Sequence, residues 1–335
     1  MKTQQRAARQ RAAFGLAIAA IVATAALINP TAEAQRWPSK SVQIVVPAPP
    51  GGGPDLLARA LAERLSARTG KAFVVENRPG ANAIVGIQTT ANSTPDGHTL
   101  LLVDRLILAV NPLLYARLPY DTRQLTGITE VARVNLLWVT RADAPFKTWG
   151  EMVAQMQERR EPITVGTSAP GSAPHLSLEL IRQRMTAASM TAVPYRGVSQ
   201  AVVGLLAGDI QAMITGPVPV LEHIRAGKLR ALAVGADTRM PLLPDTPTLR
   251  ELGLPEDLLI PTYFTLHAPA ATPAATVEAI RAAVAPILGD PDFAGQFAGR
   301  GLTVKASSPG EVEAGIAADG ARVAKVIRDG GIKLD

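Results

Sequence analysis

Ala48-Pro49-Pro50-Gly51-Gly52-Gly53-Pro54-Asp55 joins an apolar run, Val42 to Val46, to an amphipathic one, Leu56 to Arg68, and a turn of this composition can hold an anion. Glycines let the backbone approach a ligand without an intervening Cβ, and proline suits the first helical position, where an N–H has no intrahelical acceptor. The uncovered N–H groups and the positive end of the helix then favour negative charge in front of them. Gly52 and Gly53 are the expected contacts, with the amide of Asp55 completing the cradle. The Asp55 carboxylate would repel an anion and is expected to turn away. The alternative is an ordinary strand-to-helix turn.

A second stretch, Gly166 to Pro174, offers hydroxyls ahead of another helix start. Thr167, Ser168, Gly171 and Ser172 are expected to donate to a carboxylate, their alternative role being N-capping. The stretch is not a G-x-S-x-G nucleophile elbow, because Pro170 stands where the last glycine is required. His175 on the adjoining helix reads as a buried hydrogen-bonding residue rather than a base. Arg105 directly follows the apolar run Thr99 to Val103, so it either clamps a carboxylate through two N–H groups or forms a local ion pair with Asp104. A clamp would leave the ligand-free protein as stable after Arg105→Ala as before. Arg196 faces the same choice. Tyr195 either packs beneath a ligand or serves the core or a hinge, and Thr215 presents a hydroxyl after another apolar run.

Other chemistries have no residues to run on. Cysteine is absent, which excludes disulfides, zinc–thiolate sites and a cysteine nucleophile. The four histidines stand in separate segments without i, i+4 pairing, so no metal site is expected. The glycine turn lacks the lysine and Ser/Thr of a nucleotide P-loop, and G-x-G-x-x-G does not occur. No cofactor and no catalytic residue is expected.

These groups need elements to hold them. Residues 1–34 read as a secretory signal: Lys2, Arg6, Arg9 and Arg11, then the apolar run Ala12 to Ile28, then Ala32-Glu33-Ala34 with the small-x-small cleavage pattern. Export to the periplasm with cleavage after Ala34 is expected, an uncleaved anchor being the alternative. Cleavage removes four positive residues and Glu33, so the net charge falls from +6 to +3, too little to argue for nucleic-acid binding. The remaining length favours two lobes over one core. Short β-rich runs alternate with helical patterns from Val42 to Val234, which argues for α/β units on parallel sheets. Helical patterns at Ala274–Leu288 and Pro309–Arg328 read as outer helices returning to the first lobe. Ligands of open α/β sheets bind beyond the carboxyl ends of strands. The loops to watch are therefore 47–55, 77–82, 104–111, 166–175, 195–199 and 215–219.

Taken together, these segments resemble the substrate-binding proteins of tripartite tricarboxylate transporters, often called Bug receptors. The resemblance rests on the glycine turn, Val75-Glu76-Asn77-Arg78-Pro79-Gly80-Ala81, Pro95-Asp96-Gly97-His98-Thr99-Leu100-Leu101, Asn111-Pro112, Leu118-Pro119-Tyr120-Asp121, Gly171-Ser172-Ala173-Pro174-His175-Leu176, Val193-Pro194-Tyr195-Arg196-Gly197 and Ala226-Gly227-Lys228-Leu229-Arg230 in that order. It implies an α/β, two-lobed periplasmic binding protein of the second type, each lobe an α/β sandwich with the ligand cleft between them. It further implies a monomer that closes on a small mono- or dicarboxylic acid and delivers it to membrane permease subunits. The expected lobes are 35–138 with 261–335, and 139–260, with hinges near Val131–Trp138 and Pro261–Leu266. Ala48, Asp104, Arg105, Thr215, Tyr263 and Thr265 depart from what is common in such receptors. The change at Thr215 implies better tolerance of plain acids than of amino acids. Alternative readings are a receptor presenting its ligand to a membrane sensor and, more remotely, a secreted hydrolase using Ser172 and His175.

Overall fold

Val42–Val46 (β1) is apolar at nearly every position, as a strand covered by helices on both faces requires. In the computed structural model, which describes residues 37–159, 162–185, 189–195 and 197–334, β1 lies inside a six-stranded sheet. The expected leader, residues 1–34, and Arg196 lie outside the described residues. β1 pairs in parallel with Phe73–Asn77 (β2) and Thr99–Asp104 (β3). Leu125–Val134 (β4), Thr262–Pro269 (β10) and Leu302–Val304 (β11) complete it in the order β11-β4-β10-β3-β1-β2.

A second sheet takes Leu137–Arg141 (β5), Ile163–Thr167 (β6), Met190–Pro194 (β7), Ala212–Thr215 (β8) and Leu229–Val234 (β9) in the order β7-β6-β8-β5-β9. The chain leaves the first sheet through Asn135–Leu136 and re-enters it at Thr262, the start of β10. Both sheets are mixed, which corrects the expectation of parallel ones. β10 runs antiparallel to β3 and β4, and β5 antiparallel to β8 and β9. Parallel pairing needs a crossover that carries the chain back to its starting edge. β10 arrives instead from the second sheet, at the edge where β3 ends, and can only run the other way.

Ten helices cover the two sheets among the described residues. In chain order they are Gly53–Thr69 (α1), Ile84–Ala91 (α2), Arg105–Leu114 (α3), Trp149–Arg159 (α4), Ala173–Arg184 (α5), Val198–Ala207 (α6), Leu221–Arg225 (α7), Ala274–Leu288 (α8), Pro291–Ala298 (α9) and Pro309–Asp329 (α10). None of the described helices is long and apolar enough to cross a membrane. The segment 104–111, expected as a loop, is helical from Arg105 onward. Asp104 caps it by accepting from Leu106 N–H, and Leu106, Val110 and Leu114, four residues apart, bury one face.

That face of α3 joins a core shared with β5, β6 and α5, and Val323, Val326 and Ile327 of α10 enter the same core. The Val326 carbonyl also accepts from the Gln183 amide of α5. α10 thus packs on the first sheet at β4 and on the helices of the second, a longer reach than an outer helix of one lobe has.

Candidate functional site

The loop after β1 is organised by one buried carboxylate. Gly51, at φ +83°, turns the chain so that its N–H donates to Asp55 Oδ2 at 2.9 Å. Asp55 is 2% exposed, and its two oxygens also accept from Arg59 at 2.9–3.0 Å and from the Asn77 amide at 2.9 Å. Asn77, ending β2, donates a second bond to the Ala48 carbonyl at 3.1 Å. Burial alone would raise the Asp55 carboxyl, but the hydrogen bonds from Arg59, Gly51 and Asn77 outweigh it and hold the group below the ordinary carboxylate range. Its carboxylate is therefore spent inside the protein.

The backbone in front of this knot is open to a ligand. Gly52 is the extended N-cap of α1 and has no side-chain cap, and the first intrahelical bond is made by Leu56 N–H to the Gly52 carbonyl at 3.0 Å. The amides of Gly53 and Asp55 precede that bond, Pro54 has none, and no protein atom lies within 4 Å of where a Gly53 Cβ would be.

The neighbouring turn is strained. Ala81, Asn82 and Ala83 all take left-handed φ values of 45°, 50° and 69°, costing roughly 1–2 kcal/mol for each such L-residue. A buried network holds the turn: Asn82 Nδ2 donates to Asn111 Oδ1 at 2.8 Å, and Asn111 Nδ2 donates to the Asn82 carbonyl and to Tyr120 Oη. Ala81 is exposed, so Ala81→Gly relieves strain without a packing loss. It is expected to raise stability by about 0.5–1 kcal/mol, read as an increased urea midpoint.

On the second sheet, the loop after β6 leads into α5 in the same manner. Ser172 caps α5 by accepting from His175 N–H, and Ser168 Oγ donates to Ser172 Oγ at 3.0 Å. Gly171, at φ +78°, donates its N–H to His175 Nδ1 at 3.0 Å, and a Cβ there would stand 2.3 Å from Leu114 of α3. That bond leaves the His175 proton on Nε2, and burial lowers the imidazole's basicity. Ser172 Oγ is thus engaged by Ser168 and a backbone N–H, not by the His175 ring. Thr167 is 1% exposed and its hydroxyl has no partner within the described structure. Thr215 is equally buried at the end of the adjacent strand, opposite Leu137. The end of β8 is held close to the first sheet, since a Cβ on Gly216 would meet Val134 at 2.8 Å.

Two residues are placed otherwise than a ligand role requires. Arg105 is 9% exposed, and its guanidinium donates to Asp319 of α10 at 2.8 Å and Glu130 of β4 at 3.4 Å while lying 3.7 Å above the Tyr263 ring. Its hydrogen bonds are taken by α10, whose Gly315 leaves the room, and by Glu130 of β4. The expected clamp is therefore corrected to a buried structural tie. Tyr195 follows β7, and its ring lies against Gly204 of α6, where a Cβ would come within 2.3 Å of its hydroxyl. It belongs to the core side of the second sheet. Sequence reasoning missed Asn77 and Asn111, which position the two turns of the first sheet. Asn–Pro and Asn–Arg pairs at strand and helix ends were the available signal.

Two hydroxyl- or amide-lined helix starts thus stand at the carboxyl ends of β1 and β6, the arrangement of a solute receptor. The tripartite tricarboxylate transporter family receptor model matches residues 57–332. The chain belongs to this family. It is 36% identical to Protein BugT of Bordetella pertussis over 319 residues, covering 95% of this chain and 97% of that one. Among solved structures, R. palustris Rpa4515 with adipate is 32% identical, with TM-score 0.81 over 89% of this chain and 99% of the other. MatC from Rhodopseudomonas palustris with bound malate is 26% identical, with TM-score 0.77 over 87% of this chain and 100% of the other. Receptors of the family are periplasmic solute-binding proteins with a two-lobed α/β fold, and this chain shares that fold. Among its described residues no group of three His, Asp or Glu side chains is placed to hold a metal ion.

Proposed function

We propose that this receptor captures a small organic carboxylate between the loop after β1 and the loop after β6 and delivers it to tripartite tricarboxylate permease subunits. The observation that carries the reading is the α1 N-terminus, where Asp55 occupies Gly51 and leaves the amides of Gly52, Gly53 and Asp55 itself without intrahelical acceptors. Of the expected contacts Thr167, Ser168, Gly171 and Ser172, the hydroxyls of Thr167 and Ser172 supply the opposing donors, since the Gly171 N–H is held by His175 Nδ1 and the Ser168 hydroxyl by Ser172 Oγ, and Thr215 closes the floor. The adipate and malate held by the two solved relatives support a dicarboxylate. The lobe boundary expected at 138 moves to Asn135–Leu136, because Leu137 and Trp138 belong to β5 of the second sheet, and the lobes close about that crossing and the approach to Thr262. The protein works as a monomer, cleaved after Ala34, and binds without turnover, because Ser172 and His175 are committed to capping the loop.

A thermal-shift screen of the mature chain against mono-, di- and tricarboxylates, aromatic acids and amino acids tests this reading. Ligand at a hundredfold its Kd stabilises the native state by about 2.7 kcal/mol. A shift confined to a few related plain acids is the expected result. No shift with any acid, in protein freed of co-purified ligand, contradicts it.

A further inference from the structure

Resting on the dicarboxylate reading, we propose that Leu114 of α3 and Gly171 form a spacer that sets the distance between the two ligand loops, and with it the length of diacid the receptor prefers. The contact joins the two sheets. Leu114 ends the helix that follows β3 of the first sheet, and Gly171 lies in the loop after β6 of the second. A Cβ on Gly171 would stand 2.3 Å from Leu114 Cδ1 and 3.2 Å from Val110 Cγ1, inside the ordinary carbon contact of about 3.5–4.0 Å. The bare backbone of Gly171 therefore rests directly on α3.

Each side of the contact is tied to its own loop. Leu114 is buried in the shared core and its carbonyl accepts from Leu334 N–H at 2.8 Å, so close packing leaves it little room to swing aside. Three residues earlier, Asn111 exchanges hydrogen bonds with Asn82 and so fixes the turn that opens α2. α2 is packed in turn on the start of the glycine loop, since a Cβ on Gly86 would meet Pro47 Cβ at 2.8 Å. On the other side, Gly171 gives its N–H to His175 Nδ1, and Ser172 N–H donates to the Ala169 carbonyl at 3.0 Å, so this loop travels with α5. Gly171 thus contributes room rather than a donor.

A diacid that spans the two loops has to match their separation. Each added carbon lengthens an extended chain by about 1.2 Å, a third of the rise of an extended residue. A methyl on Gly171 is relieved only by moving the loop and α3 apart by roughly 1.2–1.7 Å, about one carbon of diacid. That separation favours the longer acid. Truncating Leu114 lets the loops approach and favours the shorter one. Leu114 and Gly171 are positioning residues, acting through the loops they hold.

The test is calorimetry of succinate and adipate with the natural protein, Gly171→Ala, Leu114→Ala and the double variant, read as the ratio of adipate to succinate affinity. Lost stability, from a cavity or from the left-handed φ of Gly171, weakens both acids together and leaves the ratio in place. The ratio is expected to rise about fivefold or more in Gly171→Ala and to fall about fivefold or more in Leu114→Ala. In the double variant the missing Leu114 Cδ1 makes room for the new methyl, and the ratio should return to within about twofold of the natural one. Leu114→Val, a smaller truncation, should lower the ratio more than about twofold and decides the matter if either single variant fails to fold. Ratios that stay within about twofold of the natural one in every folded variant overturn the spacer and leave the carboxylate reading standing. So does a natural protein that binds neither diacid but responds to another acid of the panel. No response to any acid overturns both.

Discussion

Replacing Arg105 with alanine is expected to lower the melting temperature of the ligand-free protein by roughly 10 °C. The substitution strands two carboxylates: Asp319, whose side chain is 2% exposed and 2.8 Å from the guanidinium, and Glu130, 13% exposed and 3.4 Å away. Removing one partner of a buried pair costs about 3–5 kcal/mol, because the remaining charge stays desolvated. Lost stacking on Tyr263 adds about 0.5–2 kcal/mol. For a chain of this size each kcal/mol moves the midpoint by about 2–4 °C. Two results separate this tie from a ligand clamp. Arg105→Ala combined with Asp319→Asn should recover part of the loss, since the stranded charge is gone. An unchanged melting temperature with a tenfold weaker ligand would instead restore the clamp.

Asp55→Ala is expected to weaken the best ligand at least tenfold, about 1.4 kcal/mol, although its carboxylate faces away from the ligand. The side chain fixes Gly51, Arg59 and Asn77 together, and through Asn77 the Ala48 carbonyl. Without it the Gly51 N–H and the Asn77 amide lose a buried acceptor, at about 1–3 kcal/mol. Arg59 is half exposed, so its ionic share is screened and adds little. The loop amides then lose their fixed aim, and affinity falls with stability. The same group sets an acid limit. Its carboxyl is held below the ordinary value, so its contribution is complete above about pH 4 and disappears as pH falls through the lower folded value. Acid titration of unfolding should differ in slope between the natural protein and Asp55→Ala in that window alone, the natural protein's advantage above it being lost as the window is crossed. Unaltered affinity in a stable Asp55→Ala variant would show that the loop needs no such anchor.

What was legible in the sequence was local. The glycine turn, its proline and the following helix are set by neighbours in the chain, and α8 lies where the helical pattern at Ala274–Leu288 was expected. The role of Arg105 was not legible, because its partner Asp319 is 214 positions away. Strand direction was missed for the same reason: β10 reads as a strand, but only its entry from the second sheet makes it antiparallel to β3. In α3 the apolar Leu106, Val110 and Leu114 recur every four residues, yet the segment was expected as a loop because it follows a strand. The structure keeps Pro112 near the last turn, where few intrahelical bonds are lost. Asp104, Arg105 and Tyr263, each read in the sequence as a departure from what the resemblance implies, are neighbours: Arg105 stacks on Tyr263, and Asp104 accepts from its N–H.

The proposed hold on the ligand carboxylate is the set of backbone amides at the α1 helix start. Its most direct test is a titration of glycine-selectively 15N-labelled mature protein with the acid that ranks first in the thermal-shift panel. Gly52 and Gly53 are expected to show the largest downfield amide shifts, saturating with the calorimetric Kd, whereas Gly171, whose N–H already donates to His175 Nδ1, moves less. Saturable binding that leaves these two resonances in place and moves glycines elsewhere would contradict it.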